Sequence, residues 1–275
     1  MKLFYAVLLM LLLSIQSNAQ KQPDVQIGGI LAPTTVRVDG KNQEWGAFAA
    51  YNKRTDLLYT IANDDKNIYL AVKANSNEAI AKIMAGGISF TINTKGKKRE
   101  QDAFSVTYPL IARISGNRGN VGQNRQRVGQ DRQEQSQKER DSINLIQRKT
   151  QLAGVKEIKV LGFKQFTDTL ISIYNEHSIK AVAKMDEQGA YIYEAAIPLA
   201  LLEIAVDGKT EIAYQIKLNG LPNTGNFTMR TNASPSFGGG NVRGGGNFGG
   251  GANVNTARQD LMTATDFWGK YILQK

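Results

Sequence analysis

Few side chains in this sequence are of a type that does covalent chemistry, and their spacing argues for binding rather than catalysis. One histidine, His177, stands in the polar stretch Asn175-Glu176-His177-Ser178. It has no second imidazole with which to share a metal ion, and a lone histidine in a polar loop reads as solvated. No cysteine occurs, which removes disulfides, thiolate metal sites, a thiol nucleophile and a lipidated N-terminal cysteine together. Neither Gly-x-Ser-x-Gly nor His-Glu-x-x-His is found, so the signatures of acyl transfer and of zinc-assisted hydrolysis are missing. Glu194 is a candidate for one member of a catalytic carboxylate pair, but Tyr191-Ile192-Tyr193-Glu194 alternates as a structural strand and no second carboxylate shows a paired motif. Asp64-Asp65 and Asn67 offer oxygens to a calcium ion. A hard cation needs six or more, so the leading reading is an Asp-rich turn bonded to its own backbone. Three glycine triplets between residues 234 and 255 lack the Lys-Ser/Thr of a phosphate cradle. These absences make an enzyme unexpected.

The elements that would carry a binding site begin after an export signal. Lys2 supplies a positive start, Leu3 to Leu13 is an uncharged apolar run, and Ser17-Asn18-Ala19 offers small residues to a peptidase. Residues 1–19 read as a signal peptide cleaved before Gln20, which places the mature protein in the periplasm or outside the cell. No later apolar run approaches the length of a membrane span. From Thr34 the pattern is of strands and turns. Val36 and Val38 alternate into the Asp39-Gly40 turn, Leu57 to Ile61 is a second run, and Ile68, Leu70 and Val72 alternate with their neighbours. Asn75-Ser76-Asn77 caps a short helix with Ile80, Ile83 and Met84 on one face, stopped by Gly86-Gly87. Further strands are expected at 88–92, 103–110, 157–163, 170–174, 179–185, 191–197, 212–218 and 266–273, with one helical turn after Pro198.

Two stretches break this pattern. Residues 115–150 are rich in Asn, Gln, Arg, Gly and Ser, with eight Arg or Lys against four Asp or Glu. They hold nearly half the excess of a chain whose net charge is +10. With so little apolar surface they read as an exposed basic insertion, partly helical, its end seated by Ile143 and Ile146. Residues 234–255 read as a flexible Gly-rich loop. Because the last strand must return to the core across that loop, residues 20–275 are expected to be one domain. Many short strands, few helices and regular turns point to an all-β fold, an antiparallel β-sandwich.

In order and spacing, four segments resemble the family 9-like carbohydrate-binding modules. They are Asp39-Gly40 with Glu44-Trp45, then Asp64-Asp65 with Asn67, Tyr69 and Leu70, then Glu194 with Ile197-Pro198, and finally Phe267-Trp268-Gly269-Lys270. The stretch from Gly86 to Asn93, with Lys95-Gly96-Lys97-Lys98 and Tyr108-Pro109-Leu110, is similar to a branch of exported bacterial proteins mostly without assigned function. The resemblance implies a β-sandwich, structural calcium in some members, and a sugar ring clamped between two tryptophans. Trp45 and Trp268 are the only tryptophans here, and both fall in motif strands rather than loops. Trp45 reads as a core plug between sheets, and strand alternation lets only one of Phe267 and Trp268 point inward. Tyr51, Tyr108 and Phe227 are the candidate substitutes for a stacking platform.

The expectation is therefore a non-enzymatic exported module that recognises carbohydrate or glycoconjugate at the cell envelope. Its basic insertion would add salt-sensitive attraction to an acidic polysaccharide. Export argues against nucleic acid as a partner. The alternative is a structural or protein-interaction sandwich, with an envelope protein as partner, that has lost the sugar site.

Overall fold

A computed structural model describes residues 22–111, 137–221 and 260–275. The expectations for residues 1–19 and 234–255, and for the first part of the basic insertion, lie outside them. Eleven strands among the described residues form two antiparallel sheets. They are β1 (Ala50–Asn52), β2 (Leu57–Asn63), β3 (Asn67–Ala74), β4 (Ile88–Asn93), β5 (Phe104–Tyr108), β6 (Glu157–Leu161), β7 (Leu170–Ser172), β8 (Lys180–Met185), β9 (Tyr191–Pro198), β10 (Glu211–Leu218) and β11 (Thr265–Ile272). One sheet has five strands in the order β1-β2-β3-β9-β8, and the other has six in the order β11-β10-β4-β5-β6-β7. The chain is thus a β-sandwich.

The core between the sheets follows from period-two alternation. Ile68, Leu70 and Val72 of β3 and Tyr191, Tyr193 and Ile197 of β9 face Phe90, Ile92, Tyr214 and Ile216 across it. Tyr59 and Tyr214 join the layers through hydroxyls 2.9 Å apart, and their rings pack on Phe267. Gly269 lies opposite Tyr214 in the β10–β11 register, and a Cβ there would run into the Tyr214 ring. The glycine of the Phe-Trp-Gly-Lys segment makes room for a core tyrosine.

Helix α1 (Asn77–Gly86) starts and stops as its residues dictate. Ser76 Oγ accepts from Ala79 N at 3.2 Å, and Gly87 ends the helix at φ 77°. A 3-10 turn, Leu199–Leu202, follows β9.

Three expectations need correction. Val36 and Val38 form no strand. The segment from Gln22 to Ala49 is a strap: Val25 packs on the core, Gln26 bonds to Tyr59 and Ile61 of β2, Leu31 bridges Asn63 in parallel, and the part from Ile30 to Phe48 covers the outer face of the five-stranded sheet. Trp45 is buried, but not between the sheets. With Phe48 it covers Ala62, Tyr69, Ala71 and Ala196 on that outer face, in a second apolar cluster. The sheet is therefore buried on both sides, which explains why β3 and β9 are apolar almost throughout. Finally, the described end of the basic insertion is helical as expected, α2 (Gln137–Ala153), but it is not seated as expected. Ile143 and Ile146 do not seat it, since they are 40% and 63% exposed. Leu145, Leu152 and Val155 pack on the core instead.

Candidate functional site

The outer face of the six-stranded sheet carries the arrangement best suited to holding a polar ligand. Its inward positions are spent on the core, so every second residue of β4, β5, β6 and β10 faces out. Register places these residues in two rows across the strands. Trp268, Gln215, Thr91, Ser105 and Leu161 form one, and Asp266, Lys217, Ser89, Thr107, Lys159 and Leu170 form the other. With adjacent strands about 4.8 Å apart, the rows are polar across their middle, from Gln215 to Ser105 and from Asp266 to Lys159, and end in Leu161 and Leu170 on the β6–β7 side.

A groove of about 710 Å³ lies over these rows. Its floor is Ser89, Thr91, Ser105 and Thr107, and Lys159, Lys217, Glu100, Glu157 and Asn219 surround it. One end is closed where α1 meets Gly220, and a Cβ on Gly86 would overlap the Gly220 carbonyl. The floor hydroxyls hold one another. Ser89 Oγ and Thr107 Oγ1 are 2.7 Å apart, Asn219 Nδ2 donates to Ser89 Oγ at 2.9 Å, and Thr91 Oγ1 donates to Ser105 Oγ at 3.1 Å. A hydroxyl has one donor and two acceptor positions, so these pairings fix the side chains and still leave acceptors for the hydroxyls of a ligand. Lys217 Nζ donates to Glu100 Oε1 at 2.9 Å. Lysines and carboxylates balance in number here, so the groove has no strong charge preference of its own.

Beside the groove, Gln215 Nε2 donates to Asp266 Oδ2 at 2.7 Å, while its buried Oε1 has no partner. A second hollow, about 1140 Å³, lies on the five-stranded side between the strap and Leu199–Val206. Its central polar group, Tyr69 Oη, is spent on Asp64 Oδ2 at 2.7 Å.

The aromatic candidates do not come together. Trp45 is 8% exposed and donates Nε1–H to Glu194 Oε1 at 2.7 Å. Tyr51 sits on the edge strand β1 with its hydroxyl donating to Asp56 Oδ1 at 2.6 Å. Tyr108 points into the core, its ring stacked on Tyr193 at 6.2 Å between centroids. Phe227 lies outside the described residues. Trp268 is half-buried on the outer face opposite Gln215, while Phe267 takes the inward position. It shares a row with the groove floor but is not among the residues lining the groove.

Glu194 is fully buried and clamped by three donors. Trp45 Nε1 and the backbone N–H groups of Asp39 (2.9 Å) and Gly40 (2.7 Å) all point at its carboxylate. Burial pushes its carboxyl above the ordinary glutamate value, the three donors pull the other way, and Glu44 adds a little to the rise. Asp64 Oδ1 accepts from Lys66 N (2.8 Å) and Asn67 N (2.6 Å). Burial pushes this carboxyl up, but the bonds from Tyr69, Lys66 and Asn67 together hold it below the usual range. With its oxygens engaged in its own turn, Asp64 does not fit a calcium ligand. No group of three His, Asp or Glu able to hold a metal ion occurs among the described residues.

Sequence reasoning missed Ser89, Thr91, Ser105, Thr107, Lys159, Lys217 and Asn219. The available signal was the Ser-x-Thr spacing on two strands, which sets pairs of hydroxyls on one face of each.

No protein-family model matches the chain, and no curated protein matches it. Among solved structures it is similar to a family 9 carbohydrate-binding module from Caldicellulosiruptor kristjanssonii in complex with glucose. The identity is 8% and the TM-score 0.36, over 90% of this chain and 95% of that one. A likeness at that distance places no ligand in this chain.

Proposed function

We propose that this chain is an exported, non-catalytic module that binds carbohydrate or glycoconjugate in the groove on its six-stranded sheet. The observation that carries the reading is the pair of hydroxyl rungs Ser89–Thr107 and Thr91–Ser105, the first braced by Asn219, on the floor of a groove of about 710 Å³. Pockets of roughly 300–1,000 Å³ take whole small molecules, and prearranged hydroxyls bind a polyol without first being ordered.

The test is a glycan array with residues 20–275 at low and moderate salt, beside Ser89→Ala and Thr107→Val. A specific hit that survives moderate salt and weakens about fivefold in each variant, the worth of one net hydrogen bond, is expected. Silence of the wild-type protein across the array at low salt would remove the proposal. A protein-interaction sandwich is the second reading, and the burial of Trp45 and Tyr108 away from any groove favours it. Cross-linking in the native envelope that recovers one protein partner, with no glycan bound, would decide for it.

A further inference from the structure

The walls of the groove differ in kind from its floor. On the β6–β7 side, Leu161 closes the row of Thr91 and Ser105, and Leu170 closes the row of Ser89, Thr107 and Lys159. Both line the groove and stand 44% and 48% exposed. The two are diagonal neighbours across β6 and β7, a spacing of about 7–8 Å. They form an aliphatic ledge at the very edge of the sheet, where β7 has no further partner. Pro109, Leu110 and Ile111 add apolar surface at the end of β5. No aromatic side chain lines the groove among the described residues. The face of a pyranose is best held by a flat ring, whereas branched aliphatic side chains suit a flexible hydrocarbon. Two exposed leucines set beside a hydroxyl floor are a polar–apolar boundary that a bare sugar would leave half unused.

We infer that the groove takes an amphiphilic glycan, its sugar on the Ser89–Thr107 floor and an aliphatic substituent along Leu161 and Leu170. This rests on the glycan reading of the same groove and narrows its ligand class to acylated or lipid-linked sugars. Lys159, opposite Leu170 and two residues before Leu161 on β6, covers the tail with its methylene stem and keeps its amine in water.

The experiment is titration calorimetry of residues 20–275 with methyl and octyl β-glucosides and β-galactosides below their micelle concentrations. Octyl phosphocholine serves as a sugar-free control. Each buried methylene is worth about fourfold in affinity, so the octyl glycoside of the preferred sugar is expected to bind at least tenfold more tightly than its methyl counterpart. The double variant Leu161→Ser/Leu170→Ser should lose that advantage and keep the methyl glycoside affinity. Because both leucines are solvent-exposed, its unfolding temperature should match the wild type. Octyl and methyl glycosides binding within twofold of each other would overturn the inference and leave the glycan reading standing. Octyl phosphocholine binding as tightly as the octyl glycosides would overturn the sugar-and-tail assignment. An octyl advantage undiminished in the double variant would refute the ledge, and failure of every glycoside at either length would count against both readings.

Discussion

At the scale of single residues, the Asp-Gly turn, Trp45 and Glu194 are spent on structure. Asp39, Gly40 and Trp45 from the strap all donate to Glu194 on β9, so two separated motifs form one clamp. Gly40 is needed there twice over. Its φ is 77°, and a Cβ would press on Lys184 and Val182. Truncating Glu194→Ala strands three donors beneath the strap, a loss of about 3 kcal/mol. In a chain of this size that lowers the unfolding midpoint by roughly 6–12 °C. Thermal unfolding would show it, with Glu194→Gln in between because it keeps one acceptor. An unchanged midpoint in the alanine variant would mean the clamp does not hold the strap. The tyrosines give a second handle. Burial, then the bond to Asp64, pushes the Tyr69 hydroxyl up to about 12, and burial takes Tyr271 up to about 12 as well. An unfolded tyrosine ionises near 10, so the folded state keeps protons the unfolded state releases. Stability is whole below that value and falls as pH rises towards the folded values. Urea unfolding at pH 9, 10.5 and 11.5 should show this decline, and Tyr69→Phe should make it shallower. Equal declines in both proteins would refute the assignment to Tyr69.

At the scale of elements, what was legible in the sequence depended on whether a segment is held by a regular ladder. The alternation of Ile158 and Val160 with Glu157, Lys159 and Leu161 reads directly as β6, because one face is buried and the other is wet. The caps Ser76 and Gly87 likewise announce α1. Val36 and Val38 alternate just as well, yet they lie in the strap. Their apolar side chains pack on the cluster around Trp45, while neighbouring backbone groups bond to side chains such as Glu44 and Glu194 instead of to a strand. Local pattern cannot tell those two cases apart. The anchorage of helix α2 was illegible for a related reason. Most of its residues are polar, and its anchorage by Leu145 and Leu152 needs a neighbouring sheet surface that no local window contains. The groove floor was half legible. Ser89 and Thr91, or Ser105 and Thr107, can be placed on the outer face of their own strands. Only the register Ser89 to Thr107 and Thr91 to Ser105 makes a ladder of them. The aromatic residues drew attention because large rings can stack on sugars, but large rings also fill cores, and Tyr108 does the latter.

At the scale of the whole molecule, the placement of the groove relative to the basic insertion bears on selectivity. Ile111, the last described residue before the insertion, lines the groove, and so does Gly220 next to Leu221, where the second described stretch ends. The first two described stretches therefore both end beside the groove. The span 116–136 carries Arg118, Arg125, Arg127 and Arg132 against Asp131 and Glu134. If the proposed glycan site is right, that net positive charge would add attraction for an anionic glycan at low ionic strength, screened when the Debye length shrinks below about 8 Å. Shortening a surface connection changes closure entropy only slowly with length, so removing 116–136 should leave the fold intact. The expected result is an unfolding temperature within a few degrees of wild type, weaker binding of an acidic glycan at low salt, and unchanged binding of a neutral one. The two proteins should converge for the acidic ligand near 0.5 M salt. If the deletion weakens neutral and acidic ligands alike at every salt concentration, the segment contributes contacts rather than charge, and the division between a neutral groove and a basic segment does not hold.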